Sequence, residues 1–153
     1  MRARLAGGLA VALTLAAGCE ETPTQVLVHL DAEPASVARA ARLRVQVLSP
    51  DETRLDRTLS LGGERPQVSF PTTVPVVPRD GDASRTFVVE ASLLDAADEP
   101  MSTVRSRFRF APGERRDEEL VFEDACLDVL CPEDQTCASG GCVALPAADA
   151  GAG

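Results

Sequence analysis

The sequence predicts an all-β protein: an antiparallel β-sandwich followed by a small disulfide-rich module. Apolar and polar residues alternate along the middle of the chain, which is typical of strands with one buried face. Turns rich in Pro, Gly and Asp separate these segments at short intervals, as in sandwiches. Four cysteines fall within seventeen residues near the C-terminus, in a segment with few large apolar residues.

Seven short strands are predicted between positions 25 and 123, each defined by apolar residues at alternate positions. Their inward residues are, in chain order, Val26, Val28 and Leu30; Leu43, Val45 and Val47; Leu55, Leu59 and Leu61; Val68 and Phe70; Phe87, Val89, Ala91 and Leu93; Val104, Phe108 and Phe110; and Leu120 and Phe122. A brief helical turn is expected over 35–41, after Pro34. Four prolines confine the fourth strand to an edge or a loop, because proline cannot donate a ladder hydrogen bond. They are Pro66, Pro71, Pro75 and Pro78.

The strand number and lengths resemble those of immunoglobulin-like and fibronectin type III domains. The resemblance covers nothing else, because the strand region has neither the Cys nor the Trp of the immunoglobulin signature. About twenty inward apolar side chains contribute roughly 1.5–3 kcal/mol each when fully buried. We therefore expect this region to fold without covalent cross-links.

The N-terminus has the layout of a secretory signal. Arg2 and Arg4 precede an apolar run over 5–17, which ends in small residues. This run is shorter than the roughly 20 residues that cross a membrane as a helix. The sequence therefore predicts export of the chain that follows position 18.

Ala16-Ala17-Gly18-Cys19 resembles the lipobox of bacterial lipoproteins, although alanine stands where leucine is usual and Leu15 lies one residue early. The resemblance implies cleavage before Cys19, palmitate-type acylation of that cysteine, and attachment to a membrane of the cell envelope. Glu20 in place of Asp after the cysteine implies the outer membrane rather than the inner one. The alternative is a secreted protein in which Cys19 has no special role.

Without Cys19, an even number of cysteines remains, namely Cys126, Cys131, Cys137 and Cys142. In an exported chain such a cluster predicts two disulfides, and four cysteines allow three pairings. Zinc is disfavoured because its sites prefer closer C-x2-4-C pairs and reducing compartments.

The cluster resembles a fragment of an epidermal-growth-factor-like module at Cys131-Pro132-x-x-Gln135-x-Cys137 and at Gly140-Gly141-Cys142. This resemblance implies the pairs Cys126–Cys137 and Cys131–Cys142. It also raises a calcium site at Glu123, Asp124 and Asp128, but the calcium-binding pattern is not met, and we expect these acids to be solvated.

Composition excludes several functions. Residues 19–153 carry 13 basic and 24 acidic residues, a net charge of −11, which disfavours nucleic acid as a partner. His29 is the single histidine, and no nucleophile elbow, metal-binding helix motif or phosphate loop accompanies it. The sequence thus predicts a non-enzymatic protein without a cofactor or a bound metal.

Arg105, Arg107 and Arg109 alternate with the apolar residues of the sixth predicted strand. On a strand they project from one face about 7 Å apart, which raises the hypothesis of a docking stripe for an acidic partner. The favoured interpretation is a solvated face whose arginines pair with acids of a neighbouring strand, such as Glu90.

These observations predict a lipid-anchored envelope protein that presents a binding surface to a protein partner. A glycan- or cell-wall-binding module is the second hypothesis, disfavoured by the absence of Tyr and Trp. A hydrolase is the third. The predicted organisation is a signal peptide over 1–18, a tether over 19–24, the β-sandwich over 25–123, the cysteine-rich module over 124–145 and a disordered tail over 146–153.

Overall fold

The computed structural model describes residues 23–49, 52–79, 84–146 and 148. Most of this chain is β-structure, as the sequence predicts, and one short helix begins at Pro34. The elements are β1 (Gln25–Ala32), α1 (Pro34–Arg39), β2 (Arg42–Ser49), β3 (Glu52–Ser60), β4 (Thr72–Val76), β5 (Thr86–Leu94), β6 (Pro100–Arg109), β7 (Arg115–Phe122), a 3₁₀ turn (Asp124–Cys126), β8 (Gln135–Ala138) and β9 (Gly141–Ala144).

The described strands form three sheets. The first has the order β4-β1-β7, the second has the order β3-β2-β5-β6, and β8 and β9 form a hairpin. The neighbours in these sheets are antiparallel except β1 and β7, which run parallel, with Gln25 opposite Arg115 and Ala32 opposite Phe122. The prediction of a wholly antiparallel arrangement is therefore wrong for this pair. Both β1 and β7 begin at the same end of the first sheet, so they run in the same direction.

The first two sheets share one hydrophobic core. Its members come from both sheets and from Phe110, which directly follows β6. They are Val26, Val28, Leu30, Leu43, Val45, Val47, Val76, Phe87, Val89, Ala91, Leu93, Val104, Phe108, Phe110, Leu120 and Phe122. The alternation in the sequence predicted all of these inward positions except Val76. Leu55 and Leu61 are only partly buried against this core, because β3 lies at the edge of its sheet.

The fourth strand differs from its prediction. Val68 and Phe70 precede it and lie outside the strands, although both are partly buried against the core. The backbone N–H groups of Gln67 and Val68 donate to the Ser60 carbonyl, at 3.0 and 3.2 Å, rather than to a ladder. The strand itself is β4, at the edge of the first sheet, where the prolines allow it. The alternate apolar residues Val68 and Phe70 indicated side chains that pack on the core, but not a strand that pairs with a neighbour.

The cysteine-rich segment folds into a hairpin held by two disulfides. Ser139 and Gly140 both have positive φ, which suits a two-residue turn between β8 and β9. The disulfides are Cys126–Cys137 and Cys131–Cys142, the pairing implied by the growth-factor-like resemblance. The hairpin and the 3₁₀ turn before it form the disulfide module, defined as residues 124–145.

The disulfide module packs on the outer face of the second sheet, at β6. The Asp128 N–H donates to the Met101 carbonyl at 2.6 Å, and Val129 forms an isolated bridge with Ser102. Side chains that point away from the main core on β5 and β6 are consequently buried as well: Ser92, Leu94, Met101 and Thr103. Ser92 and Thr103 satisfy each other through a 2.9 Å hydrogen bond between their hydroxyls. The second sheet is therefore covered on both faces at this end.

The two disulfides are expected to differ in their contribution to stability. Both close loops of the same sequence separation, 11 residues, so loop entropy contributes about 3 kcal/mol in each case. Cys126 and Cys137 are buried, whereas Cys142 is exposed. Replacing Cys126 and Cys137 with alanine should therefore destabilise the module more than replacing Cys131 and Cys142. Hydrogen exchange of the β8–β9 amides measures the stability of the module in each variant. An equal loss of protection in the two variants would contradict the expectation based on burial.

Candidate functional site

The predicted arginine row lies on β6, on the face of the second sheet that points away from the main core. The intervening residues Val104 and Phe108 are buried in that core. However, the three arginines occupy different surroundings. Arg105 is largely buried, Arg107 is half-exposed and Arg109 is exposed. The row thus does not present three equivalent charges to a partner.

Arg105 connects the second sheet to the disulfide module. Its Nε donates to Glu90 Oε2 at 2.5 Å, in an ion pair whose side chains are only 10% and 18% exposed. Its Nη1 donates to three backbone carbonyls of the module. These belong to Cys131, Pro132 and Gln135, at 3.2, 3.1 and 2.9 Å. The guanidinium therefore binds a carboxylate of β5 and the backbone of the module at the same time.

The backbone of Arg105 takes part in the same junction. Its N–H donates to Thr136 Oγ1, on β8, at 2.9 Å. Glu90 lies directly opposite Arg105 in the β5–β6 ladder. The ion pair between Arg105 and Glu90, one of the two interpretations of the arginine row, is therefore present. The three carbonyls lie 26 to 30 residues further along the chain. No sequence pattern indicates such contacts.

Arg107 lies in a depression of about 530 Å³ on the same face. The remaining lining comes from β2, from β5, from β6 and from the module: Gln46, Leu48, Ser49, Thr86, Phe87, Val88, Glu90, Arg105 and Glu133. Arg105 and Glu90 neutralise each other, which leaves Arg107 and Glu133 as the charges that a ligand would meet. Among the described residues, no hydrogen bond or ion pair engages the Arg107 side chain. The sequence did not indicate Gln46 or Glu133 as lining residues, because they are distant along the chain.

Arg109 stands at the end of β6, beyond this depression. Its backbone carbonyl accepts a hydrogen bond from Arg116 Nη1 at 3.3 Å. Arg109 is exposed and takes part in a further interaction. The face thus carries one unpaired cation, Arg107, within the part of the chain that the structure describes.

The acids near the first module cysteine keep contact with solvent, as Asp128 with a side chain that is 63% exposed, and they also form hydrogen bonds and ion pairs that the sequence did not predict. Asp124 accepts hydrogen bonds from the N–H groups of Ser36 and Ala35, at 2.7 and 3.2 Å, and thereby satisfies the first turn of α1. Asp128 forms a two-pronged ion pair with Arg39, at 2.8 and 3.0 Å. Glu123 accepts from the Ser139 N–H at 2.7 Å. The module is therefore held by α1 as well as by β6.

These contacts shift the ionisation of both aspartates. Desolvation raises the pKa of Asp124, but the hydrogen bonds from Ser36 and Ala35 outweigh it and lower that pKa below 3.8. The hydrogen bond from Arg39 lowers the pKa of Asp128 in the same direction. Both carboxylates are thus charged throughout the neutral range. Over residues 23–49, 52–79 and 84–146, the acids, cysteines and histidine form no cluster of metal-ligand type.

His29 lies on the outer face of the first sheet, between β4 and β7. Its Nδ1 is 3.0 Å from Thr73 Oγ1 and its Nε2 is 2.8 Å from Asp117 Oδ1. The hydrogen bond to His29 is the main reason that the pKa of Asp117 is lowered, followed by Arg115. A hydroxyl, an imidazole and a carboxylate thus form a chain, which the sequence did not predict.

Cys19 and its neighbours lie outside the described residues, so the structure places neither the predicted lipidation residue nor most of the predicted tether. In the described part of the chain, no helix has the length and apolar character needed to cross a membrane. No protein-family model, curated protein or solved structure matches this chain.

Arg105 is expected to contribute strongly to stability. Arg105→Ala leaves the Glu90 carboxylate largely buried without its partner and removes three carbonyl contacts, and such losses cost about 3–5 kcal/mol. Arg107→Ala changes the same residue type on the same face without breaking a pair and should cost no more than about 0.5 kcal/mol. Chemical denaturation of the two variants tests this. Similar losses in both would contradict the junction role of Arg105.

Acid should release the module from α1. The pKa of Asp124 is lower in the folded state than the ordinary aspartate value of 3.8. Its contribution to the free energy of unfolding is therefore fully present at pH values above 3.8 and is lost as the pH falls through the lower pKa of the folded state. The amide resonances of Ala35 and Ser36 should therefore shift only below about pH 4. Asp124→Asn keeps an acceptor oxygen and should abolish this pH dependence. An identical profile in that variant would show that another group is responsible.

Proposed function

We propose that this protein is a lipid-anchored component of a bacterial cell envelope that binds another protein and catalyses no reaction. Acylation of Cys19 attaches it to a membrane, and Glu20 after that cysteine directs it to the outer membrane. The observations that support export are the signal-like segment over 1–18 and the two disulfides, which form in oxidising compartments. The lipobox-like residues support acylation.

We further propose that the two main sheets form a sandwich of the immunoglobulin and fibronectin type III kind. Those folds place strands B and E side by side in one sheet, and strands C′, C, F and G in the other. In this protein β1 and β4 are neighbours in the first sheet, and the second sheet has the order β3-β2-β5-β6. Both arrangements follow that order. β7 takes the remaining position beside β1, parallel to it. The shared core of the two sheets supports this assignment.

The binding surface is the depression around Arg107. One observation carries this proposal: a half-exposed guanidinium without an ion pair lies in a concavity, between the module and β2. Two other arginines on the same face of this sheet are paired, Arg44 with Asp56 at 2.6 Å and Arg105 with Glu90. A protein segment that places a carboxylate opposite Arg107, and a donor opposite Glu133, complements this surface.

Reversing the charge of Arg107 should abolish partner binding. Arg107→Glu puts a carboxylate opposite that of the partner, and we expect at least a tenfold loss of captured partner from solubilised envelopes. Arg57→Glu is the matched control. It makes the same charge change at an exposed position of β3, opposite the inward-facing Val45 and thus on the other side of the sheet. Equal capture by both variants would remove the Arg107 site, and Arg107-independent binding of purified cell-wall glycan would favour the glycan hypothesis.

Cys19→Ser should release the protein from membranes. In bacteria fed a labelled palmitate analogue, the natural chain should take up label and sediment with the outer membrane. The serine variant should do neither, because a thioether to lipid needs the sulfur and stable anchoring needs two or more acyl chains. Absence of label in the natural chain would contradict acylation. Sedimentation with the inner membrane would contradict only the sorting inferred from Glu20.

A further inference from the structure

Among the described strands, β6 is the last of the second sheet, so one of its edges has no neighbouring strand. In an antiparallel ladder, the backbone N–H and C=O groups of successive residues point alternately to the two edges of a strand. The Arg105 N–H donates to Thr136 Oγ1 of the module, and therefore points away from β5. The β5–β6 register is unbroken from Arg105 to Arg109, so the backbone groups of Arg107 and Arg109 point away from β5 as well.

This outer edge of β6 is occupied on both sides of Arg107. The module binds the N–H of Arg105, and the carbonyl of Arg109 accepts a hydrogen bond from Arg116 Nη1, on β7, at 3.3 Å. Between them, no described residue bonds to the N–H or the C=O of Arg107 on this edge. The unpaired backbone groups therefore belong to the same residue as the unpaired guanidinium of the depression.

We propose that the protein partner adds a short extended segment to β6 at Arg107, as one more strand of the second sheet. The partner residue opposite Arg107 then exchanges both of its backbone hydrogen bonds with Arg107. Its side chain points to the same face of the sheet as the guanidinium, so a carboxylate at this position meets the unpaired cation. This binding mode rests on the proposed function of the Arg107 depression and specifies its ligand as an extended acidic segment.

The neighbouring contacts limit the length of this segment. Thr136 and Arg116 hold the edge positions two residues before and two residues after Arg107. At about 3.3 Å per residue, the gap between these positions is about 13 Å, or four residues of an extended chain. The segment thus pairs with Arg107 alone and departs from the sheet on either side.

A second copy of this chain is a poor occupant of the edge. In a twofold pairing of two β6 edges centred on this gap, Arg107 of one copy would lie opposite Arg107 of the other. Like charges directly opposite each other destabilise a strand pair. Charge complementarity therefore favours an acidic segment of a different protein.

The probe is the capped peptide acetyl-Val-Thr-Glu-Thr-Val-amide, in which residues that favour strands flank one carboxylate. It is titrated into the full exported chain, isotope-labelled and carrying Cys19→Ser so that no lipid is attached, and binding is followed by NMR. We expect saturation at one peptide per chain, with the Arg107 amide among the resonances that shift most. Absence of binding at millimolar peptide, or shifts confined to other strands, would overturn the proposal.

Methylation of single peptide nitrogens separates strand pairing from charge attraction. A methyl group on the Glu nitrogen removes the donor to the Arg107 carbonyl, and should weaken binding about fivefold, the effect of one hydrogen bond. The matched control carries the methyl group on the nitrogen of the preceding Thr, whose N–H points away from β6. The control peptide should bind as the parent peptide does. Equal weakening by both methyl groups would overturn strand pairing.

Two variants of the chain make the same separation from the other side. Arg107→Gln removes the charge and keeps the N–H, whereas Arg107→Pro removes both, and proline is tolerated where an edge strand turns its N–H outward. We expect the proline variant to bind the peptide about fivefold more weakly than the glutamine variant. Equal binding by two variants with equal melting temperatures would overturn the proposal. If the proline variant fails to fold, the methylated peptides decide.

Capture from solubilised envelopes distinguishes this proposal from the proposed function. Loss of capture in Arg107→Glu, together with equal capture by Arg107→Gln and Arg107→Pro, would overturn strand addition and leave the binding surface in place. Unchanged capture by Arg107→Glu would remove the surface itself. A dimer of the parent chain that Arg107→Pro dissociates, without peptide binding, would identify a second copy as the occupant and overturn the proposal.

Discussion

The position of the disulfide module depends on one guanidinium. The module has almost no apolar core of its own, and its disulfides close it on itself without attaching it to the body. Arg105 attaches it to the second sheet through side-chain contacts, because a planar group with five N–H donors binds Glu90 on one side and three carbonyls on the other. A buried charge is costly unless it is paired and hydrogen-bonded, so this arrangement tolerates little displacement. Asp124 and Asp128 hold the module to α1 from a second direction.

Docking of the module makes the two ends of the protein different. At one end the module covers the outer face of β5 and β6 and buries Ser92, Leu94, Met101 and Thr103. At the other end the sheets part, and Val77 remains exposed above stacked phenylalanines. The Arg107 depression lies between, bounded by Glu133 of the module.

The sequence predicted the core closely and the strand pairing less well. Period-two alternation identified the buried faces of β1, β2, β5, β6 and β7, because burial of one sheet face imposes that period directly. It misplaced the fourth strand, since Val68 and Phe70 are partly buried without pairing to a neighbour, and it did not indicate that β7 runs parallel to β1. Of the candidate site, it predicted the shared face of the three arginines and the Glu90 pairing, but not the module carbonyls that occupy Arg105.

The sequence by itself determined the strand-rich composition, the alternation that defines the core and the four neighbouring cysteines that form two disulfides. These properties are local, and each can be read within about twenty residues. The tertiary structure decided which arginine of the row is engaged, which acids bind the helix, and where the sheets stay open. These depend on contacts such as that between Arg105 and Gln135, or between Asp124 and Ser36, 30 and 88 residues apart. Only the folded chain brings such partners within hydrogen-bonding distance.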